Sequence, residues 1–153
     1  MFLSRYSASR NLPFSCDQLF SIAADIECYP EYLPGWMKVQ VIERSATWLE
    51  VQQTLGFGLL RMRFSASAKL IRPHSVHVSS QDGPFQLLEI EWNFQPVDEQ
   101  FSQVSLDIEL VMKNAAQGKL ADRFFSSNAQ DTMDRFSRRA REVYGYYQSG
   151  ADA

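Results

Sequence analysis

The last third of the chain constrains the fold most. From Lys119 to Tyr147, apolar residues recur at helical spacing. Phe125, Ala129, Thr132, Met133, Phe136, Ala140, Val143 and Tyr147 fall on one side at about 100° per residue. Arg135, Arg138 and Arg141 fall mostly on the other side. Upstream, the pattern changes to a period of two. Leu60, Met62, Phe64, Ala66, Ala68 and Leu70 share one face of a stretch from Leu59 to Arg72, and Arg61, Arg63, Ser65, Ser67 and Lys69 take the other. A single long helix that follows a run of strands has only a sheet to bury its stripe against. If that sheet curves, the two enclose an apolar space.

The remaining strands read from the same alternation. Leu88, Ile90, Trp92 and Phe94 oppose Glu89, Glu91 and Asn93. Val104, Leu106, Ile108, Leu110 and Met112 oppose Ser105, Asp107 and Glu109. A slip of one residue would bury carboxylates, so these registers are firmly specified. Strands are also expected at Phe2–Arg10, Lys38–Arg44, Trp48–Leu55 and Ser75–Ser80. Gly56-Phe57-Gly58 is expected to join two of them, and Asp82-Gly83-Pro84 to form a turn.

Two short helices are expected after the first strand. Ser15 with Gln18 fits a capping box, and Leu19, Phe20, Ile22 and Ala23 form the stripe behind it. The second helix covers Ile26 to Tyr32 and ends in a Leu33-Pro34-Gly35 turn. The fold class is therefore α+β. Residues 1–148 form one domain and 149–153 a disordered tail. A chain of 153 residues buries about 68–70% of its extended surface, so it needs no disulfide or metal to hold it.

Composition removes several function classes. The net charge of −3 gives no overall basic field, which argues against DNA as a partner. Cys16 and Cys28 lack metal or redox spacing and read as reduced and structural. No apolar run approaches the roughly 20 residues of a membrane span. The N-terminus shows no signal-peptide core, so a reducing, cytoplasmic setting is expected, with peripheral membrane contact left open. Gly56-Phe57-Gly58 sits between strands and is no phosphate loop. His74 and His77, three apart, point to opposite faces of a strand and cannot share a metal by themselves. Glu89 and Glu91 lie on the wet face. Arg135, Arg138, Arg139 and Arg141 read as a solvated helix face that could also touch RNA or anionic headgroups. No acid/base pair, triad or metal cluster emerges, and the reading is of a non-enzymatic binder of apolar molecules.

Three stretches carry a family resemblance. The first is Asp25-Ile26-Glu27, Tyr29-Pro30, Tyr32-Leu33-Pro34 and Trp36. The second is Asp82-Gly83-Pro84-Phe85, with Leu88, Trp92 and Phe94 after it. The third is Val104-Ser105-Leu106-Asp107, with Val143-Tyr144-Gly145 on the last helix. In order and spacing the chain resembles the coenzyme Q-binding family of the START-like (polyketide cyclase/lipid transport) superfamily, which includes a bacterial ribosome-association toxin. The resemblance implies a helix-grip fold, β-α-α-β6-α, in which a curved antiparallel sheet wraps the C-terminal helix. It implies no cofactor, but a bound ubiquinone or related isoprenoid quinone that serves respiration or quinone synthesis. Tyr32, Leu33, Pro34 and Trp36 would form the mouth or lid. Phe64, Leu88, Trp92, Phe94, Leu106 and Ile108 would line the sheet wall, and Met133 and Phe136 the helix wall. The toxin relationship implies an alternative partner, the large ribosomal subunit. A polyketide cyclase-type enzyme is the remaining alternative.

Overall fold

The structure is a computed structural model and describes residues 3–145. The expected strand start at Phe2, the helix position Tyr147 and the tail 149–153 lie outside the described residues. The described residues form one antiparallel sheet of seven strands, ordered β1-β7-β6-β5-β4-β3-β2. Their bounds are β1 (Ser4–Leu12), β2 (Trp36–Arg44), β3 (Trp48–Phe57), β4 (Leu60–Ile71), β5 (Ser75–Ser80), β6 (Phe85–Pro96) and β7 (Ser102–Met112). The first and last strands thus lie side by side, β1 with β7 and Ser4 opposite Leu110. This is the helix-grip arrangement, with α3 (Ala115–Ala140) held against the inner face.

The two-residue period survives folding in β4, β6 and β7. Met62, Phe64, Ala66 and Ala68 are buried on β4, as are Leu88, Ile90, Trp92 and Phe94 on β6 and Val104, Leu106, Ile108 and Leu110 on β7. Phe85 joins the buried face although it stands three residues before Leu88. A bulge between Phe85 and Leu87 resets the alternation there.

Several bounds differ from the sequence expectation, each for a local reason. α3 begins at Ala115 rather than Lys119, because the Asn114 side chain accepts from the Ala116 and Gln117 backbone N–H groups, at 2.8 and 3.3 Å. β3 runs through Gly56 and Phe57, so the connection to β4 is only Gly58-Leu59. Positive φ at Gly58 alone fits a type II′ hairpin turn. β2 starts at Trp36, and a bulge between Trp36 and Lys38 leaves Trp36 buried while Met37 is exposed.

α1 (Cys16–Ala24) is capped as expected, with Gln18 N–H donating to Ser15 Oγ at 3.1 Å and Ser15 N–H to Gln18 Oε1 at 2.9 Å. The second helix splits into a 3-10 turn, Ile26–Cys28, and α2 (Tyr29–Tyr32). Pro30 stands in the first turn of α2, where a missing N–H costs nothing.

One expected helix position is corrected. Val143 is exposed, not part of the buried stripe. Residues Arg141–Gly145 are wound as a π turn, whose wider bonding rotates the following side chains off the α-helical phase. Tyr144 takes the inward place, its ring 6.1 Å from that of Phe14.

Candidate ligand-binding site

The site begins with how α3 is held. Arg10 on β1 pairs with Asp134 at 2.6 Å, and the Tyr6 hydroxyl donates to the Asp122 carboxylate. Burial, and then that hydrogen bond, raise the Tyr6 phenol to about 12. These two ties set the alignment of α3 along β1, while burial of its apolar stripe supplies most of the docking energy. The stripe of Phe125, Thr132, Met133, Phe136 and Ala140 is buried.

Opposite α3 stand the sheet residues expected to form the wall. Phe64, Leu88, Trp92, Phe94, Leu106 and Ile108 are all buried on the inner face. Trp92 stacks on Phe136 with ring centroids 4.5 Å apart and planes 28° apart, so sheet wall and helix wall touch directly at that level. Phe64 meets Phe85 edge to face at 4.9 Å. Phe20 of α1, which the sequence placed only in a helix stripe, meets Phe94 at 6.3 Å.

The lid residues separate into two kinds. Leu33 and Trp36 are buried, whereas Tyr32 and Pro34 are half-buried. Trp36 Nε1 donates to Gln53 Oε1 at 2.9 Å, so a buried amide from β3 satisfies the indole. Gln53 was not expected as a site residue, although the alternation Leu49, Val51, Gln53, Leu55 turns it and not Gln52 toward the apolar face and is the signal that could have found it. Tyr29, also unforeseen, is the centre of the cluster. Its ring meets Tyr32 at 6.1 Å and Trp36 at 5.8 Å, both nearly perpendicular. Its hydroxyl donates to the Ala23 carbonyl. Burial pushes the Tyr29 phenol well up; the nearby Trp92 indole opposes this in part, although its N–H does not reach hydrogen-bond geometry.

Two polar atoms in this cluster stand out. Among the described residues, the Tyr32 hydroxyl and Trp92 Nε1 are the buried side-chain polar atoms with no hydrogen-bond partner. Most buried polar groups in proteins are bonded, and an orphan costs about 1–3 kcal/mol. Desolvation holds the Tyr32 phenol well above its ordinary value, so it is a neutral donor. A cleft of about 250 Å³ opens beside Tyr32, lined by Ser21, Ile22, Asp25, Cys28, Arg139, Val143 and Tyr144. Arg139 lies over the Tyr32 ring at 5.1 Å and within 3.5 Å of Glu31.

The reactive residue types are placed elsewhere or kept quiet. None of the described His, Asp and Glu side chains is buried. His77 sits on the outer face between Glu89 and Glu91, at 2.5 and 3.1 Å. The Cys28 thiol donates to Asp25 Oδ2 at 3.1 Å, and this bond together with burial raises it to about 12, so it stays a thiol. Both cysteines are free. No group of three or more ligating side chains that could hold a metal occurs among the described residues.

A curved antiparallel sheet closed by one long helix over a largely apolar interior is the START-like, helix-grip fold. The chain belongs to the polyketide cyclase/dehydrase and lipid transport family, whose model matches residues 12–137. It is similar to the ribosome association toxin RatA of Vibrio cholerae, 29% identical over 143 residues that cover 94% of this chain and 99% of that one. It is also similar to the mitochondrial coenzyme Q-binding protein COQ10 homolog B of Xenopus laevis, 26% identical over 92% of this chain and 59% of that one. In fold it matches the Zhui aromatase/cyclase of Streptomyces sp. R1128, with a TM-score of 0.80 over 93% of this chain and 96% of that one, at 14% identity.

Proposed function

We propose that this protein binds a neutral isoprenoid lipid of the ubiquinone class between α3 and the sheet, and carries or shields it without transforming it. The observation that carries this reading is the pair of orphaned polar atoms, Tyr32 hydroxyl and Trp92 Nε1, in a largely apolar interior whose buried Gln53 amide is already bonded to Trp36. An indole N–H is a donor only, so its missing partner has to bring an acceptor. A quinone ring offers carbonyl oxygens and carries no charge. An anionic headgroup would have to be desolvated beside Phe136 and Trp92, and Arg139, the cation over the Tyr32 ring, is already turned to Glu31. The tail supplies the affinity: one isoprenoid unit of about five carbons gives about 4 kcal/mol at about 0.8 kcal/mol per carbon. The headgroup then lies beside the Trp92–Phe136 stack rather than inside it. The similarity to a protein named for coenzyme Q binding supports the same class. Titration of lipid-stripped protein with a short-chain ubiquinone, followed by quenching of tryptophan fluorescence, tests it. Saturable quenching that a Trp92→Phe variant weakens is expected; no saturable quenching would overturn the reading.

A second reading is favoured by the similarity to proteins named ribosome association toxin. Arg138 and Arg141 are exposed on α3 and the turn after it, whereas Arg135 and Arg139 are engaged by Asp131 and Glu31. A ribosomal contact would therefore use Arg138 and Arg141. Co-sedimentation with large ribosomal subunits, lost on Arg138→Glu with Arg141→Glu, is the expected behaviour; co-sedimentation indifferent to both reversals would remove that role.

A further inference from the structure

We propose that the end of the sheet where β3 turns into β4 docks on an anionic lipid bilayer, with Leu59 entering the headgroup layer. This goes beyond ligand binding and rests on a different set of residues. The strand register brings one set of chain segments to this end: the starts of β1, β2, β4 and β6, and the ends of β3, β5 and β7. Exposed apolar side chains far apart in sequence lie at this end; the opposite end also exposes Ile42, Trp48, Ile71, Val97 and Phe101, so it is charge that sets this end apart. Leu59 at the hairpin tip is fully exposed, and Leu3, Met37 and Leu120 are nearly half exposed. Met37 lies across Gly56, where an added Cβ would come within 2.6 Å of its sulfur, so it is part of the same tip.

The surface is continuous around the end. Gly83 in the β5–β6 turn sits so close to β4 that an added Cβ would lie 2.5 Å from the Arg63 carbonyl oxygen. On its other side the Lys113 N–H donates to the Pro84 carbonyl at 2.9 Å. The turn therefore links the β4 edge to the start of α3.

Charge at this end says what covers it. Lys38, Arg61, Arg63, Lys113 and Lys119 are all exposed, and none has a carboxylate partner among the described residues. The protein as a whole carries −3, so the basic character of this end is local and not a reflection of the overall charge. The acidic groups nearby are engaged: Asp82 accepts from the Ser65 N–H at 2.8 Å, and Asp122 holds the Tyr6 hydroxyl. Arg61 also donates to the Gly58 and Leu60 carbonyls, at 2.7 and 3.1 Å, and so holds the hairpin that presents Leu59. A projecting apolar tip within a ring of unpaired cations matches an anionic membrane surface, where acyl chains take the tip and lipid phosphates the ring.

The test is co-sedimentation of the lipid-stripped full chain with phosphatidylcholine vesicles made with and without phosphatidylglycerol. No interior ligand is needed, so failure to bind quinone leaves the measurement valid. Binding to the anionic vesicles alone, weakened by salt, is expected. Leu59→Asp should reduce it about tenfold or more, because the leucine side chain no longer leaves water. Lys113→Glu with Lys119→Glu should reduce it several-fold and flatten its salt dependence. All three positions are exposed, so an unchanged melting temperature certifies the variants. Absence of anionic-vesicle binding, or binding that ignores both variants, would overturn the proposal. So would equal binding to neutral vesicles, or loss of vesicle binding to competing RNA at fixed ionic strength.

Discussion

Replacing Tyr32 by Phe removes one oxygen atom from a place where the protein gives it no partner. A buried hydroxyl in that state costs the fold about 1–3 kcal/mol. The ring, its edge contact with Tyr29 and its place under Arg139 are kept, so no cavity opens. The empty protein should therefore gain about 1 kcal/mol, which for a domain of this size is a rise of about 2–4 °C in melting temperature. Binding should move the other way. If the hydroxyl meets a ligand oxygen, its loss removes a hydrogen bond of about 0.5–1.5 kcal/mol, up to about tenfold in Kd. Urea denaturation of lipid-stripped protein and titration with a short-chain ubiquinone read the two quantities separately. A Tyr32→Phe protein that is less stable when empty and binds as well as before would refute the reasoning, since the hydroxyl would then serve the fold and not the ligand.

Phe136→Ala, which strips the partner from the Trp92 stack, should cost about 3–5 kcal/mol of stability by chemical denaturation. Gly83→Ala should cost more than about 2 kcal/mol, because φ is +61° and the new methyl would meet the Arg63 carbonyl; thermal melting reads it. Stability should be flat from neutral pH to about 9, begin to fall as the unfolded chain loses the Cys28 proton that the fold keeps, and fall more steeply above about 10. Tyr29 and Tyr32 keep their protons in the fold while the unfolded chain loses them, so unfolding is favoured by about 1.4 kcal/mol per pH unit for each. Tyr6 adds in the same direction until it titrates at about 12, and the urea midpoint measured against pH shows the window.

The strands with one wet face were the legible part. Glu89, Glu91, Asp107 and Glu109 fix the registers of β6 and β7, since a shift would bury them, and the structure keeps those registers. The start of α3 was not legible. Ala115-Ala116-Gln117-Gly118 carries no stripe and includes a glycine, and only the Asn114 cap marks the first turn. The π turn at its end has no local signal; Tyr144 facing Phe14 is a contact across 130 residues of sequence. The twelve residues expected to line the site include the wall positions, which alternation identifies. Tyr29 and Gln53 were missed, and they connect the aromatic cluster. That Tyr32 and Trp92 keep unpaired polar atoms depends on what surrounds each side chain in three dimensions, which no spacing encodes. The basic end escaped for the same reason, since Lys38, Arg63 and Lys113 come together only through the strand order.

Native mass spectrometry of the protein purified from a quinone-producing bacterium, with an organic extract of the same sample, tests the central claim most directly. A near-stoichiometric neutral isoprenoid quinone, depleted in a protein carrying Tyr32→Phe and Trp92→Phe, is the expected result. A folded protein whose extract holds no lipid, or holds a charged phospholipid at the same occupancy with and without those substitutions, would contradict it.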